Sequence, residues 1–244
     1  MKISRSFAAM LAAGLLAATP SLASAQSWTT WTSGSAGLFG GTLLGSAVVF
    51  TGGNVGGQLA DGTSIGPLTF NGGPNFFNPS DPYTKFSGVP VPGLTVPGPF
   101  GMIQFNPASR DVLTFTGGAA VNPYFALISI GQPGDPGLPV TWTFSNPFTV
   151  LSNNDCPTPT YWGCGSYTTG GNAITGYTLI GKEFSGTLGF AGTFSSMAFS
   201  TTEENWNGFT VGAASVTPEP ATMSLLATGL VGLAAVSRRR KRTA

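Results

Sequence analysis

Val140-Thr141-Trp142-Thr143-Phe144-Ser145 alternates apolar and polar side chains at every step. Successive side chains of a strand point to opposite faces, so this stretch reads as a half-buried β-strand. Just before it, Tyr124-Phe125-Ala126-Leu127-Ile128-Ser129-Ile130 is the most apolar strand candidate in the chain. Similar short runs lie at 42–51, 67–70, 100–105, 111–116, 174–180, 184–190, 194–199 and 208–212. Turn formers such as Gly52-Gly53-Asn54 and Asn71-Gly72-Gly73 separate them. Asn106-Pro107 predicts a turn that pairs the strands on either side of it. No long stretch carries a helical period. About ten strands with turns between them predict an all-β body: one antiparallel β-sandwich or jelly-roll-like domain. The Pro- and Gly-rich stretch 75–99 reads as a long surface loop within it.

The two ends have a different character. Lys2 and Arg5 precede an apolar core at 7–18, Pro20 breaks it, and Ala23-Ser24-Ala25 offers small residues at the −3 and −1 positions. This predicts a signal peptide over 1–25, cut by signal peptidase between Ala25 and Gln26. At the other end Pro218-Glu219-Pro220 is followed by an uncharged apolar run, 221–237, and then by Arg238-Arg239-Arg240-Lys241-Arg242. As a helix the apolar run would reach roughly 25 Å, slightly short of the ~30 Å hydrocarbon core. It reads as a marginal transmembrane helix, with its five cations held in the cytoplasm and the body on the other side. Pro218 and Pro220 keep the approach extended, so Glu219 stands on accessible chain that a processing enzyme can read.

This tail, 216–244, resembles the PEP-CTERM sorting signal of Gram-negative bacteria, with its three parts in order. The resemblance covers only the last thirty or so residues. It implies recognition by an exosortase in the inner membrane, cleavage near Pro218-Glu219-Pro220, and release of the body, 26–215, to the cell surface or extracellular matrix. It also implies an association with exopolysaccharide and biofilm.

Without its two ends the chain has about 190 residues, enough for one domain with its own core. Two cations lie in the signal and five in the tail, leaving Lys85, Arg110 and Lys182. Eight of the nine acids remain, so the body carries a net charge of −5 although the whole chain is near neutral. Three scattered cations exclude a phosphate-neutralising surface, and so nucleic acid as a partner. Charged residues are 8% of the chain, against about 25% in ordinary soluble domains. Solubility therefore rests on Ser, Thr, Asn and Gln, and one defence against edge-to-edge association is reduced.

Cys156 and Cys164 are the only cysteines. An even count in an exported chain predicts a disulfide, which over so short a loop contributes roughly 2–3 kcal/mol. The rival is a metal site. The chain has no histidine and no third cysteine to complete a tetrahedral set, so no metal or cofactor is expected.

Gly62-Thr63-Ser64-Ile65-Gly66 matches the pattern of a nucleophile elbow, yet the chain has no histidine to act as base. Gly52-Gly53-Asn54-Val55-Gly56-Gly57 lacks the Gly-Lys-Ser/Thr ending that grips phosphate. Asn153, Asn154 and Asp155 lack calcium-loop spacing and read as a turn. Paired carboxylates could hydrolyse glycans. The acids here stand mostly in turn contexts, where turn formation and solvation are their expected work.

The reading that results is an exported, non-enzymatic surface or matrix protein, structural or adhesive. Tyr161, Trp162 and Trp206 form its speculative ligand surface, because aromatic rings in polar contexts stack on sugars. Core or edge packing is the alternative for those rings. A secreted glycan hydrolase or lyase and a self-assembling β-rich fibre subunit are the rival functions.

Overall fold

The computed structural model describes residues 26–54, 56–66, 101–105, 108–132, 138–153, 164–204, 206–214 and 229. Gln26–Ser215 form one compact unit. Met1–Ala25 with Val216–Ala244 form a second, which apart from Gly229 lies outside the described residues. The signal peptide, the sorting motif, the apolar run and the basic cluster all fall there. Among the described residues no helix is long and apolar enough to cross a membrane.

The body is all-β and antiparallel. Its strands are β1 (Gln26–Trp28), β2 (Thr30–Ser35), β3 (Leu38–Leu43), β4 (Ser46–Thr51), β5 (Gly56–Gln58), β6 (Ser64–Ile65), β7 (Met102–Phe105), β8 (Ser109–Phe115) and β9 (Ala120–Val121). They continue with β10 (Tyr124–Ile130), β11 (Val140–Phe144), β12 (Thr149–Asn153), β13 (Cys164–Asn172), β14 (Gly176–Gly189), β15 (Thr193–Phe194), β16 (Ser196–Thr201) and β17 (Asn207–Ala214). One hydrogen-bonded path runs β2-β3-β4-β8-β16-β11-β14-β10-β17-β7-β5-β6, and β9 and β15 form a separate pair.

β14 joins two halves of the sheet. Its first part, through Gly181, pairs with β11 on one side and β13 on the other. Its last part, from Phe184, pairs with β10 on the first side and β12 on the second. The bend falls at Glu183, a non-glycine residue with φ of 59°. A sandwich or jelly roll implies two layers; here hydrogen bonding passes unbroken between them through one bent strand, as sheet corners do. The far ends approach each other: Ala60 N–H, just past β5, donates to Trp31 O of β2 at 2.9 Å. The sheet is thus nearly a closed barrel.

The core fills the space between the halves. Phe105 of β7 meets Trp142 of β11 edge-on at 5.4 Å. Phe125 stacks on Phe209 at 5.3 Å, and Trp142 on Phe199 at 5.2 Å. Phe50, Phe144 and Phe190 complete a cluster in which every ring is nearly inaccessible to solvent. Rings from both halves interlock, so the aromatic-rich composition becomes one continuous core.

The structure corrects four local expectations. The single strand expected over 42–51 is the end of β3, a turn, and β4; Leu44 and Gly45 both take positive φ, 52° and 79°, as a two-residue hairpin turn needs. β7 and β8 do not pair across Asn106-Pro107: β7 joins β17 and β5, while β8 joins β16 and β4. Both nevertheless send side chains, Phe105 and Leu113, into the same core. The two strands expected at 174–180 and 184–190 are one continuous strand, β14. Finally, Asp111, Glu183 and Glu204 are buried rather than solvated. Asp61 does the expected turn work, accepting Thr63 N–H at 2.8 Å, and those bonds hold its carboxyl below the usual range.

Candidate functional site

The densest buried polar cluster sits at the bend of β14. Three backbone irregularities meet there: Ser129 with φ of 53°, Glu183 at 59° and Gly131 at 90°. Gly131 is the residue this geometry requires, since a side chain there would run into the carbonyl oxygen of Gly181. The register between β10 and β14 slips at this point, between Leu127 and Ile130. The slip turns side chains that would otherwise face outward toward the bend.

Ser129 Oγ donates to Glu183 Oε1 at 2.7 Å, and Ser129 N–H donates to Ser185 Oγ at 3.0 Å. Glu204 Oε2 accepts from Gly131 N–H and from Asn207 Nδ2, both at 3.0 Å. Glu204 keeps 3% of its surface exposed. Loss of solvent pushes its carboxyl up to about 8; the two donors oppose that shift and the nearby Glu183 adds to it. Glu204 is therefore protonated at neutral pH, and the bend is held by a neutral carboxyl accepting two N–H groups.

A second buried acid is Asp111 of β8. Asp111 Oδ1 accepts Gly53 N–H at 2.9 Å, and its Oδ2 accepts Ser109 Oγ–H at 2.6 Å. Ser109 Oγ also lies 2.9 Å from Thr201 Oγ1. Burial raises the Asp111 carboxyl, and its two donors pull the other way. Both clusters tie strands to connections, which is architectural chemistry. Sequence spacing shows little of them: Ser129 lies 54 residues from Glu183 and Gly131 lies 73 from Glu204, and only Asn207, three residues on, is local.

Trp206 keeps 8% exposure and packs with Met102, Ala126 and Ile128, with Trp28 against them. A sugar platform needs an accessible ring face, which this residue does not offer. Tyr161, Trp162 and Cys156 lie outside the described residues. Cys164 opens β13 opposite Phe184. Ser64 sits exposed on β6, whose described partner is β5. Among the described residues no group of three or more His, Cys, Asp or Glu could hold a metal ion.

Comparison with known proteins bears on the tail. A family model described as the PEP-CTERM protein-sorting motif matches residues 216–241. No curated protein and no solved structure matches the chain. The chain therefore carries the C-terminal sorting signal of exported, exosortase-processed proteins.

Proposed function

We propose that this carrier of a PEP-CTERM sorting motif delivers its β-body to the cell surface or extracellular matrix. The body serves there as a structural or adhesive element associated with exopolysaccharide and biofilm, without catalysing a reaction. The motif at 216–241 is the observation that carries the delivery. In this scheme signal peptidase cuts after Ala25, and the apolar run 221–237 holds the precursor in the inner membrane by a helix. Arg238, Arg239, Arg240, Lys241 and Arg242 stay cytoplasmic, and the exosortase cuts near Pro218-Glu219-Pro220.

The placement of the acids supports a non-enzymatic body. Asp111 and Glu204 are closed off from solvent and spend their oxygens on backbone and side-chain donors. A glycan hydrolase needs two carboxyls facing a sugar. The raised Glu204 carboxyl is the one observation that favours that rival, since a general acid needs such a shift. Fold topology supports the disulfide reading. Asn153 and Cys164 pair with Gly186 and Phe184 on the same side of β14, so the residues flanking the stretch 154–163 stand within two strand positions of each other. A Cys156–Cys164 bridge would close it.

Mass spectrometry of the protein from cells with and without an active exosortase tests delivery. The mature surface form should begin at Gln26 and lack 221–244 only when the enzyme is active. Retention of the basic cluster on the surface protein would sink the proposal. Turnover of the host exopolysaccharide by the purified protein, abolished by Glu204→Gln, would replace the structural role with the enzymatic one.

A further inference from the structure

The outward face of β8, β16 and β11 carries a row of side chains fixed by strand register. Thr143 pairs with Ser200, and Ser200 with Arg110. The next row along the strands holds Ser145, Ala198 and Val112; Ala198 pairs with Val112, and Ser145 N–H donates to Ala198 O at 3.1 Å. Side chains two apart on one face repeat at about 6.8 Å, and neighbouring strands lie about 4.8 Å apart. The face is thus a grid of hydroxyls and small apolar groups with one guanidinium at its edge.

The turn between β13 and β14 forms a wall beside this grid. Asn172 Oδ1 accepts the N–H groups of Ile174 and Thr175 at 2.8 and 3.1 Å, which fixes the turn. Ile174 stands 95% exposed at its tip. Floor and wall together bound a groove of about 530 Å³, within the ordinary range for ligand sites.

Arg110 is exposed, and among the described residues no hydrogen bond or ion pair engages its guanidinium. Its neighbour Asp111 points to the opposite face, into the core. Arg110 lines the groove with five N–H donors in a planar fork that find no partner among the described residues. They match one carboxylate bidentately. The hydroxyls of Thr143 and Ser200 suit the hydroxyl groups of a sugar ring, Ser145, whose O–H donates to Ala198 O at 3.1 Å, can still accept from one, and Val112, Ala198 and Ile174 suit its C–H face.

We propose that this groove binds an acidic polysaccharide, with Arg110 holding a sugar carboxylate and the Ser/Thr grid holding the ring hydroxyls. The proposal rests on the adhesive reading above and gives it a site and a ligand class. An acidic body facing a polyanion gains nothing from its long-range field. Recognition is then local, one carboxylate per groove, and strength in the matrix comes from many copies along one polymer.

The test uses the full chain in mild detergent. Arg238→Gln, Arg239→Gln, Arg240→Gln, Lys241→Gln and Arg242→Gln are introduced as background, so that the tail does not compete for the anion. Titration with a uronate hexasaccharide and with a neutral glucan hexasaccharide is followed calorimetrically up to about 10 mM, some tenfold above an expected Kd of about 1 mM. The uronate should bind at least tenfold more tightly than the glucan. Arg110→Gln should remove that preference while leaving the thermal midpoint unchanged, and Arg110→Lys should retain part of it. Equal binding of the two sugars, an unchanged preference in Arg110→Gln, or no uronate binding overturns the proposal. So does equal binding of a poly-glutamate peptide, which would make the site a reader of any carboxylate. None of these outcomes touches exosortase processing, which is read by mass spectrometry.

Discussion

β10 and β11 flank β14 on the same side, end to end, yet they live in different surroundings. β11 alternates buried and half-buried residues, whereas β10 is buried at every residue after Tyr124. Both aim their inner side chains, Phe125 and Trp142, into one aromatic core. They differ on the outside. Ala126 and Ile128 are covered by a second cluster with Met102 and Trp206, while Thr143 faces the open groove. The half of the sheet around β10 is thus covered on both faces, and the half around β11 on one. A strand's composition follows the number of covered faces: continuous apolar for two, alternating for one.

The shared core should give the largest effects, and should not distinguish the halves. Trp142→Ala and Phe125→Ala are each expected to cost about 3–5 kcal/mol, read by urea denaturation. If one were mild and the other severe, the rings would form two cores rather than one.

The bend where the halves meet should reveal itself through pH. The Glu204 carboxyl lies at about 8 in the folded protein against an ordinary 4.5. The folded state therefore binds the proton more tightly than the unfolded state does. The sign is fixed: the folded protein is most stable while this group is protonated in both states. Stability falls as pH rises from about 4.5 to about 8, by up to about 1.4 kcal/mol per unit. Glu204→Gln keeps a neutral acceptor for Gly131 and Asn207, so it should remove this slope. The variant should match the parent near pH 5 and exceed it at pH 9. Parallel stability curves for the two proteins would show that the carboxyl is not the neutral latch of the bend.

Exchanges between β-branched side chains on the outer faces test the comparison directly. Ile128→Thr places a hydroxyl between two packed layers and should cost about 1–3 kcal/mol. Thr143→Val, on the single-covered half, should stay within about 0.5 kcal/mol. Similar costs at both sites would abolish the difference between the halves.

The same logic explains how much of the body was legible in the sequence. β10 and β11 were read almost to the residue because their patterns record their surroundings directly. β13 was missed: its Ser166, Thr168, Thr169 and Gly170 are exposed, so no apolar signal marks it as a strand. Its place comes from the hairpin it forms with β14, which its polar, exposed side chains do not reveal. β14 itself was split because Gly181-Lys182-Glu183 interrupts the apolar pattern, though the strand bends there without breaking. The buried acids were hidden for a related reason. Glu183 and Glu204 meet only when β14 and the approach to β17 fold together, and local turn propensity says nothing of that. The sorting tail needed no folding to be read, since its signal is linear.

The smallest expected effect separates two residues with similar backbone angles. Leu44 and Ser129 have φ of 52° and 53°, a region that costs side-chain-bearing residues on the order of 1 kcal/mol or more. Leu44 is exposed on the β3–β4 hairpin and loses little if its side chain changes. Leu44→Asn creates an Asn-Gly turn with Gly45, the pair that such hairpins favour, and should stabilise the protein by up to about 1 kcal/mol. That corresponds to a rise of about 2–4 °C in the thermal midpoint. Ser129→Gly relieves the same angle but removes the hydroxyl that donates to Glu183, so it should come out destabilising by a similar amount. Opposite signs for equal φ would mean that the strain at Leu44 is only the cost of a poor turn residue. At Ser129 it holds a donor against a buried carboxyl, and a stabilising Ser129→Gly would remove that distinction.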